Sequence, residues 1–234
     1  MTHTNHRRGG PDSLRGEFIL LPRVDPAVSA QQRYGGAIAD RMQRLASIVA
    51  RHDPEALDVR LGDRQARYMR GAVGKDGFCA LDDIVRDSTM HEVRHVLLSG
   101  RDRLRRVLAD LAAADLGISI VISGLFEDVF EVCRECGLVP HSVNMSLGTW
   151  GRTELLPEGE EFEMVTMCGH GVASRALVGH IAKRVGRGEL GPEEAAVELA
   201  RPCVCNIVNP TRAAALLRRA GACQSDCCAE GKAT

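Results

Sequence analysis

The sequence predicts an α/β fold with a mainly parallel sheet, flanking helices and a helical C-terminal region. The first observation is a recurring motif: an apolar run typical of a strand, then a small residue with a glycine, then an amphipathic helical pattern. It is found at residues 96–100, 120–124, 143–148 and 165–169. Strands that alternate with helices across short turns are typical of a parallel sheet. The second observation is the length of 234 residues, which is enough for one α/β domain with a sizeable core.

The chain before the first copy of this motif is predicted to add one strand and one helix. Residues 1–16 are polar and rich in glycine and arginine, so we expect a disordered leader. The main domain is expected over residues 17–220, with a strand at 18–21 and a helix at 38–49, where apolar residues have helical spacing. Residues 221–234 are expected to form a flexible tail that contains cysteines.

Helices are predicted after the strands of the motif. One apolar stripe includes Leu104 and Leu108, and a second predicts a helix over 125–136. After a strand at 162–167, the spacing of apolar residues predicts a helix over 172–185.

The C-terminal region is predicted to contain two more helices. Pro192, which follows a glycine, suits the first turn of a helix that ends near Ala200. Asn209 and Pro210 suit the start of a last helix, with Asn209 as its N-cap; Asn209 and Arg212 together could alternatively bind a carboxylate.

The composition excludes several classes of function. The 30 basic and 31 acidic residues nearly cancel, so no basic field is present to hold nucleic acid or an anionic membrane. Aromatic residues make up 3% of the chain, too few for base stacking. The sequence contains no run near the roughly 18 apolar residues of a membrane span and no secretory signal. We therefore expect a cytoplasmic protein whose partner is a small-molecule substrate, with neither nucleic acid nor membrane as a partner.

The nine cysteines point to thiol chemistry or metal binding. The cytoplasm keeps thiols reduced, and an odd number leaves one cysteine unpaired in any case, so disulfides are not the expected use.

The turns that follow the predicted strands define a candidate binding rim. In parallel sheets, ligands bind beyond the carboxyl ends of the strands. Ser99 and Ser123 alternatively suit helix N-caps. The rim is predicted to carry six side chains: Ser99, Ser123, Asn144, Ser146, Cys168 and His170.

Cys168 is the first candidate for catalysis. It stands in the MCGHG segment at residues 167–171, between a predicted strand and a predicted helix. The N–H groups at a helix start carry partial positive charge, which favours thiolate over thiol. His170 lies between two glycines at a turn, where a packed core histidine is not expected, so it is assigned to the same site.

Cys203 and Cys205 are the candidate partners of Cys168. The two helices predicted between Cys168 and Cys203 can form a hairpin that returns the chain to the position of Cys168. Three thiolates suit a [4Fe–4S] cluster with one iron open to substrate, or a zinc ion that His170 completes. The cluster is the preferred interpretation, and simple burial of the connector cysteines is the alternative.

Cys133 and Cys136 have the C-x-x-C spacing of zinc and redox sites. They fall at the end of the helix predicted over 125–136, with Gly137 as its C-cap, and are expected on the rim opposite Cys168. Packing and metal ligation both stay open for this pair. Metal capture and an inert role also both stay open for the tail cysteines: Cys223, Cys227 and Cys228.

The segment HEVRH at residues 91–95 matches the H-E-x-x-H pattern of zinc proteases. We reject this interpretation because Arg94 places a charge where such helices are apolar, and because His95 runs directly into a predicted strand.

Residues 167–171 resemble the Met-Cys-Gly-His motif of the proline racemase and hydroxyproline epimerase family. The resemblance implies that Cys168 acts as acid or base on the substrate α-carbon and that His170 tunes or orients it. Chains of that family are longer and have two similar halves, each supplying one cysteine. Here, Cys203 is the only candidate for the second thiol.

Three hypotheses of function follow. The leading one is a cytoplasmic enzyme, either a lyase, a desulfurising enzyme or an oxidoreductase, with an iron–sulfur cluster held by Cys168, Cys203 and Cys205. The second is a cofactor-free racemase or epimerase that uses Cys168. The third is a non-catalytic metal-binding or metal-delivery protein.

Overall fold

The computed structural model describes residues 3–29, 31, 34, 36–75, 77–87 and 89–230. The sequence predicted one main domain, whereas backbone contacts divide the chain into two compact units. The sheet unit comprises residues 14–143 and 205–207. The helical unit comprises residues 1–13, 144–204 and 208–234.

The sheet unit contains five strands in the order β3-β2-β4-β1-β5. Every neighbouring pair is antiparallel. The strands are β1 (Glu17–Arg23), β2 (Ala56–Leu61), β3 (Arg64–Met69), β4 (Met90–Ser99) and β5 (Ser119–Ser123). The helices of this unit are α2 (Pro26–Ser29), α3 (Ile38–Ala50), α4 (Leu81–Arg86), α5 (Arg101–Ala114) and α6 (Phe126–Glu135).

The prediction of a mainly parallel sheet is wrong. The crossovers β1-α3-β2 and β4-α5-β5 do join strands that run in the same direction, as the alternating pattern indicated. However, β4 lies between β1 and β2, and β1 lies between β4 and β5. The two crossovers are thus interleaved in a split β-α-β arrangement, which makes every neighbour antiparallel. The order of elements along the chain does not reveal such an inserted strand.

The two last predicted strands are also absent. Residues 143–148 have no regular secondary structure and join no strand pair, and residues 162–167 lie largely in helix α7 (Gly159–Val165). Glu160 and Glu161 occupy the first turn of α7, where carboxylates interact favourably with the helix dipole. The apolar run at 162–167 therefore lies in a short helix and the turn after it, with Met164 and Met167 buried, and such a short run does not distinguish a helix from a strand.

The core of the sheet unit lies between the sheet and helices α3, α5 and α6. Leu45 and Val49 of α3 and Leu104 of α5 are fully buried against it. Strand β1 is buried along both alternating sets of side chains, which explains its continuous apolar sequence.

The helical unit consists mainly of α7, α8 (Arg175–Gly186), α9 (Pro192–Ala200) and α10 (Pro210–Glu230). Residues 1–16, predicted to be a disordered leader, include a 3-10 helix at His3–His6 and α1 (Pro11–Leu14). The predicted flexible tail begins inside α10; residues 231–234 and the side chains of Cys223, Cys227 and Cys228 lie outside what the structure describes. Among the described helices, none combines the length and the apolar character that a membrane crossing requires.

Ion pairs fix the direction of α7 relative to α10. Glu160, at the start of α7, pairs with Arg219, well inside α10, at 3.3 Å. Glu163, near the end of α7, pairs with Arg212, in the first turn of α10, at 2.8 Å. Helix α7 therefore runs antiparallel to α10 and ends near its N-terminus.

Helix α9 has the same direction as α7. Glu193, in the first turn of α9, pairs with Arg218 of α10. The connector at 201–209 then leads from the end of α9 to the start of α10. The connectors that follow α7 and α9 thus both lie at the end of the helical unit where α10 begins.

Candidate functional site

Cys168 lies in a tight turn three residues after the end of α7. Its side chain is 1% exposed, and Met167 before it is fully buried. Gly169 has a φ of +78° and donates its N–H to Thr166 O at 2.8 Å. A left-handed residue is needed to close this turn, which explains a glycine at this position.

The predicted position of Cys168 at a helix start is wrong. Helix α8 begins at Arg175, and its N-cap Ser174 accepts a hydrogen bond from Leu177 N at 3.2 Å. Cys168 follows α7 instead, because the predicted strand before it is a helix. His170 lies in the same turn and is exposed, in agreement with its assignment outside the core.

Cys203 lies at the matching position after α9. Its N–H donates to Ala200 O at 2.9 Å, and its side chain is 1% exposed. Cys168 and Cys203 thus occupy the two connectors that emerge where α10 begins, both within the helical unit. Cys205 is 4% exposed and belongs to the three-residue segment of the connector that is part of the sheet unit.

A charged network holds together the end of the helical unit where these connectors lie. Arg212 donates to Glu163 Oε2 (2.8 Å), Ser13 Oγ (3.1 Å) and Arg8 O (3.0 Å). Ser13 Oγ also donates to Glu163. Asn209 Oδ1 accepts from Arg212 N at 3.1 Å, so Asn209 is the N-cap of α10. The alternative carboxylate site at Asn209 and Arg212 is filled by the chain's own Glu163.

The described cysteines form no disulfide. Within the described part of the chain, no three His, Cys, Asp or Glu side chains are grouped so that they could hold a metal ion. The cluster and the zinc ion accordingly stay predictions.

The predicted substrate rim is divided between the two units. Ser99 and Ser123 lie at the same end of the sheet, opposite Glu17 and Ile19 of β1, because β4 and β5 run in the same direction. Their alternative role as N-caps is wrong, because Gly100 and Leu125 occupy those positions.

Asn144 and Ser146 belong to the helical unit and follow no strand. Asn144 is exposed. Ser146 Oγ accepts from Arg8 Nη2 at 3.3 Å, so it helps to hold the N-terminal segment.

The C-x-x-C pair ends helix α6 as predicted. Gly137 has a φ of +67°, its N–H donates to Arg134 O (3.1 Å), and Leu138 N donates to Cys133 O (2.8 Å), which is a Schellman C-cap. Burial, and then the nearby Cys136 thiol, raise the pKa of Cys133; burial also raises the pKa of Cys136. Both thiols are therefore kept protonated near neutral pH.

The H-E-x-x-H segment lies on strand β4, so its histidines have no helical face on which to bind zinc. His95 is buried, with Nδ1 3.3 Å from Oδ2 of the fully buried Asp58. Gln65 Nε2 donates to Asp58 Oδ1 at 2.7 Å. Sequence reasoning missed this acid–histidine pair, since Asp58 is far from the motif in the chain.

Asn206 is a second residue that sequence reasoning missed. Its Nδ2 donates to Leu57 O (3.1 Å) and Tyr68 O (2.8 Å), across β2 and β3. Its Oδ1 is buried and has no hydrogen-bond partner among the residues that the structure describes. Asn206 has a φ of +55°, a left-handed conformation that asparagine adopts more readily than most other residues. In the sequence, the only hint of this anchor is an asparagine directly after the Cys-x-Cys pair.

A polar cleft of about 720 Å³ opens on the sheet unit. It was also missed, because its lining comes from separate segments that share no motif. Its lining includes the charged residues Arg23, Arg60, Asp63 and Glu92, together with His91.

Comparison with protein-family models gave no match, and neither curated proteins nor solved structures gave a significant one.

Proposed function

We propose that the chain is an enzyme whose reaction depends on the thiols of Cys168, Cys203 and Cys205, and that these thiols hold an iron–sulfur cluster, [4Fe–4S] with one iron not ligated by the protein. The supporting observation is that two buried thiols lie in connectors at the same end of the helical unit. Cys168 follows α7, Cys203 follows α9, and both helices end where α10 begins.

The chemistry of the donor set fits such a group. Thiolates are the usual protein ligands of iron–sulfur clusters. All three side chains are at most 4% exposed, and none is in a disulfide. When bound, a cluster of this kind supplies a Lewis acid for a small oxygen- or sulfur-bearing substrate, or transfers electrons.

The chain's own residues have distinct roles in this proposal. The Arg212–Glu163 pair fixes the end of α7 against α10 and thereby positions the turn that carries Cys168. His170 is exposed in the same turn, two residues after Cys168, where its side chain is accessible to a substrate.

The test is anaerobic purification from iron-replete cells, followed by visible absorption and by analysis of iron and acid-labile sulfide. We expect thiolate-to-iron absorption bands, and we expect Cys168→Ser, Cys203→Ser and Cys205→Ser each to lose most of the iron. Cys79→Ser and Cys136→Ser are the matched controls, because both thiols are half-buried in the sheet unit, and both variants should keep the iron.

A colourless, iron-free wild-type chain would exclude the cluster. If that chain exchanged a substrate α-proton with solvent and lost the exchange in Cys168→Ser, the racemase hypothesis would replace it. If truncation after Ala220 abolished metal transfer to an acceptor, the metal-delivery hypothesis would be favoured.

A further inference from the structure

The outer edge of β5 directs backbone groups away from the sheet. In antiparallel strands, successive residues direct their N–H and C=O groups to opposite sides. Gly100 N donates to Gly16 O at 2.6 Å, so Gly16 and every second residue after it face β4. Pro22 belongs to this set. Proline has no backbone N–H, so at this position the sheet loses a donor on the β4 side and none on the β5 side. Leu21 therefore faces β5.

Register then assigns the groups of β5. Leu21 pairs with Val121, so Val121 directs its N–H and C=O to β1. Ile120 and Ile122 consequently direct two N–H and two C=O groups outward. Across the part of the chain that the structure describes, no backbone hydrogen bond reaches these four groups.

The sequence of this edge is symmetric and lacks protection. Residues 119–123 read S-I-V-I-S, the same in both directions about Val121. Exposed edge strands of monomeric proteins usually carry a lysine, a proline or a bulge that blocks pairing with another chain, and β5 has none of these. The side chain of Val121 is 38% exposed.

Helix α6 presents an apolar surface beside the same edge. Phe126 and Phe130 stack with ring centroids 5.6 Å apart and are 40% and 38% exposed. Glu131 and Glu135 bond Arg101 at the start of α5, so α5 flanks the opposite side of α6. The phenylalanine pair therefore lies on the side of α6 that faces away from α5.

Charges on α6 suit antiparallel pairing of two copies. Glu127 lies in the first turn of α6. Arg134 lies in its last turn and continues the four-residue spacing of Phe126 and Phe130. Among the described residues, neither Glu127 nor Arg134 has an ion-pair partner. In two antiparallel copies of α6, Arg134 of one copy meets Glu127 of the other.

We propose that the chain forms a two-fold homodimer in which the β5 edges of two copies pair antiparallel about Val121. Ile120 of each copy then exchanges both backbone hydrogen bonds with Ile122 of the other, and the two valines form the central pair. The two sheets become one continuous sheet, and the same axis brings the two copies of α6 together antiparallel. This proposal is independent of the thiol site.

The test is sedimentation equilibrium of the full-length chain. We expect a dimer, and we expect Val121→Lys to raise the dimer Kd by about tenfold or more, because the two lysines would lie directly opposite one another. Val73→Lys is the matched control: Val73 is 48% exposed in a turn of the same unit, and its replacement should leave the dimer intact.

A charge exchange tests the pairing without altering the strand. Arg134→Glu and Glu127→Arg should each weaken the dimer, and the double variant should restore it. Far-ultraviolet circular dichroism checks that each variant is folded. A wild-type chain that sediments as a monomer at all concentrations overturns the proposal. A dimer that Val121→Lys leaves unchanged, or a double variant as weak as the single ones, also overturns it.

Discussion

Arg212 illustrates how one side chain organises the region around the candidate site. It is only 7% exposed and bonds Glu163, Ser13 and the backbone of Arg8. A buried guanidinium charge is tolerated here because its ion pair and hydrogen bonds compensate for the lost hydration. Loss of the guanidinium leaves the Glu163 carboxylate without its cation.

We therefore predict that Arg212→Met lowers the free energy of unfolding by about 3 kcal/mol, as expected when one partner of a buried pair is removed. Arg218→Met is the control, because the Arg218–Glu193 pair is exposed and its loss should cost less than about 1 kcal/mol. Urea unfolding monitored by circular dichroism measures both. Equal losses would show that the Arg212 network contributes no more than a surface pair.

The thiols at the end of α6 give a prediction about pH. Burial raises the pKa of Cys133 and Cys136, and only the thiolate is nucleophilic. Alkylation of both thiols by iodoacetamide should therefore be slower at neutral pH than in the urea-unfolded chain. The rate should continue to rise with pH beyond the ordinary thiol pKa of about 8.5, where the rate for the unfolded chain levels off. Mass spectrometry of the peptides measures the rates. Fast labelling at pH 7 would instead indicate a redox-active pair.

Some residue-scale features could be predicted because they depend on local geometry. The N-cap Asn209 and the C-cap Gly137 are such cases, since each acts within one turn of its own helix. The anchor at Asn206 could not be predicted, because its partners Leu57 and Tyr68 are distant in the chain.

At the scale of elements, the helices were predicted better than the sheet. The predicted helices at 38–49 and 125–136 agree closely with α3 and α6, since each carries its own apolar stripe. Strand direction depends on which strand is inserted between two others, and no residue in β4 or β5 encodes that β1 lies between them. The predicted rim kept only Ser99 and Ser123 at one end of the sheet, because the strands expected before the other four side chains are absent.

Two glycines within helices of the helical unit give a contrasting pair of predictions. A Cβ at Gly179 in α8 would meet no atom within 4 Å, so Gly179→Ala should stabilise the protein by about 0.5–1 kcal/mol through helix propensity. A Cβ at Gly221 in α10 would lie 3.2 Å from Gly186 N and 3.3 Å from Val185 Cγ1. Gly221→Ala should therefore gain less or destabilise, because α8 and α10 must separate slightly. Thermal unfolding compares the two variants. A larger gain at Gly221 would contradict the close packing of these helices.

At the scale of the whole molecule, composition predicted a chain with a substantial core and no basic surface field. Its division into a sheet unit and a helical unit was not predicted, because the N-terminal segment joins the helical unit through contacts such as Arg8 with Ser146. The same division limits what the sequence could predict about the cysteines, because Cys168 and Cys203 belong to the helical unit and Cys205 to the sheet unit. The predicted hairpin was expected to return Cys203 towards Cys168, and in the structure the connectors after α7 and α9 lie at the same end of the helical unit.

The most direct test of the proposed thiol site is the native mass of the anaerobically purified chain. We expect the wild-type chain to exceed the mass calculated from its sequence by one iron–sulfur cluster, and the Cys168→Ser chain to have the mass of the polypeptide alone. Wild type and Cys168→Ser both at the polypeptide mass would contradict it.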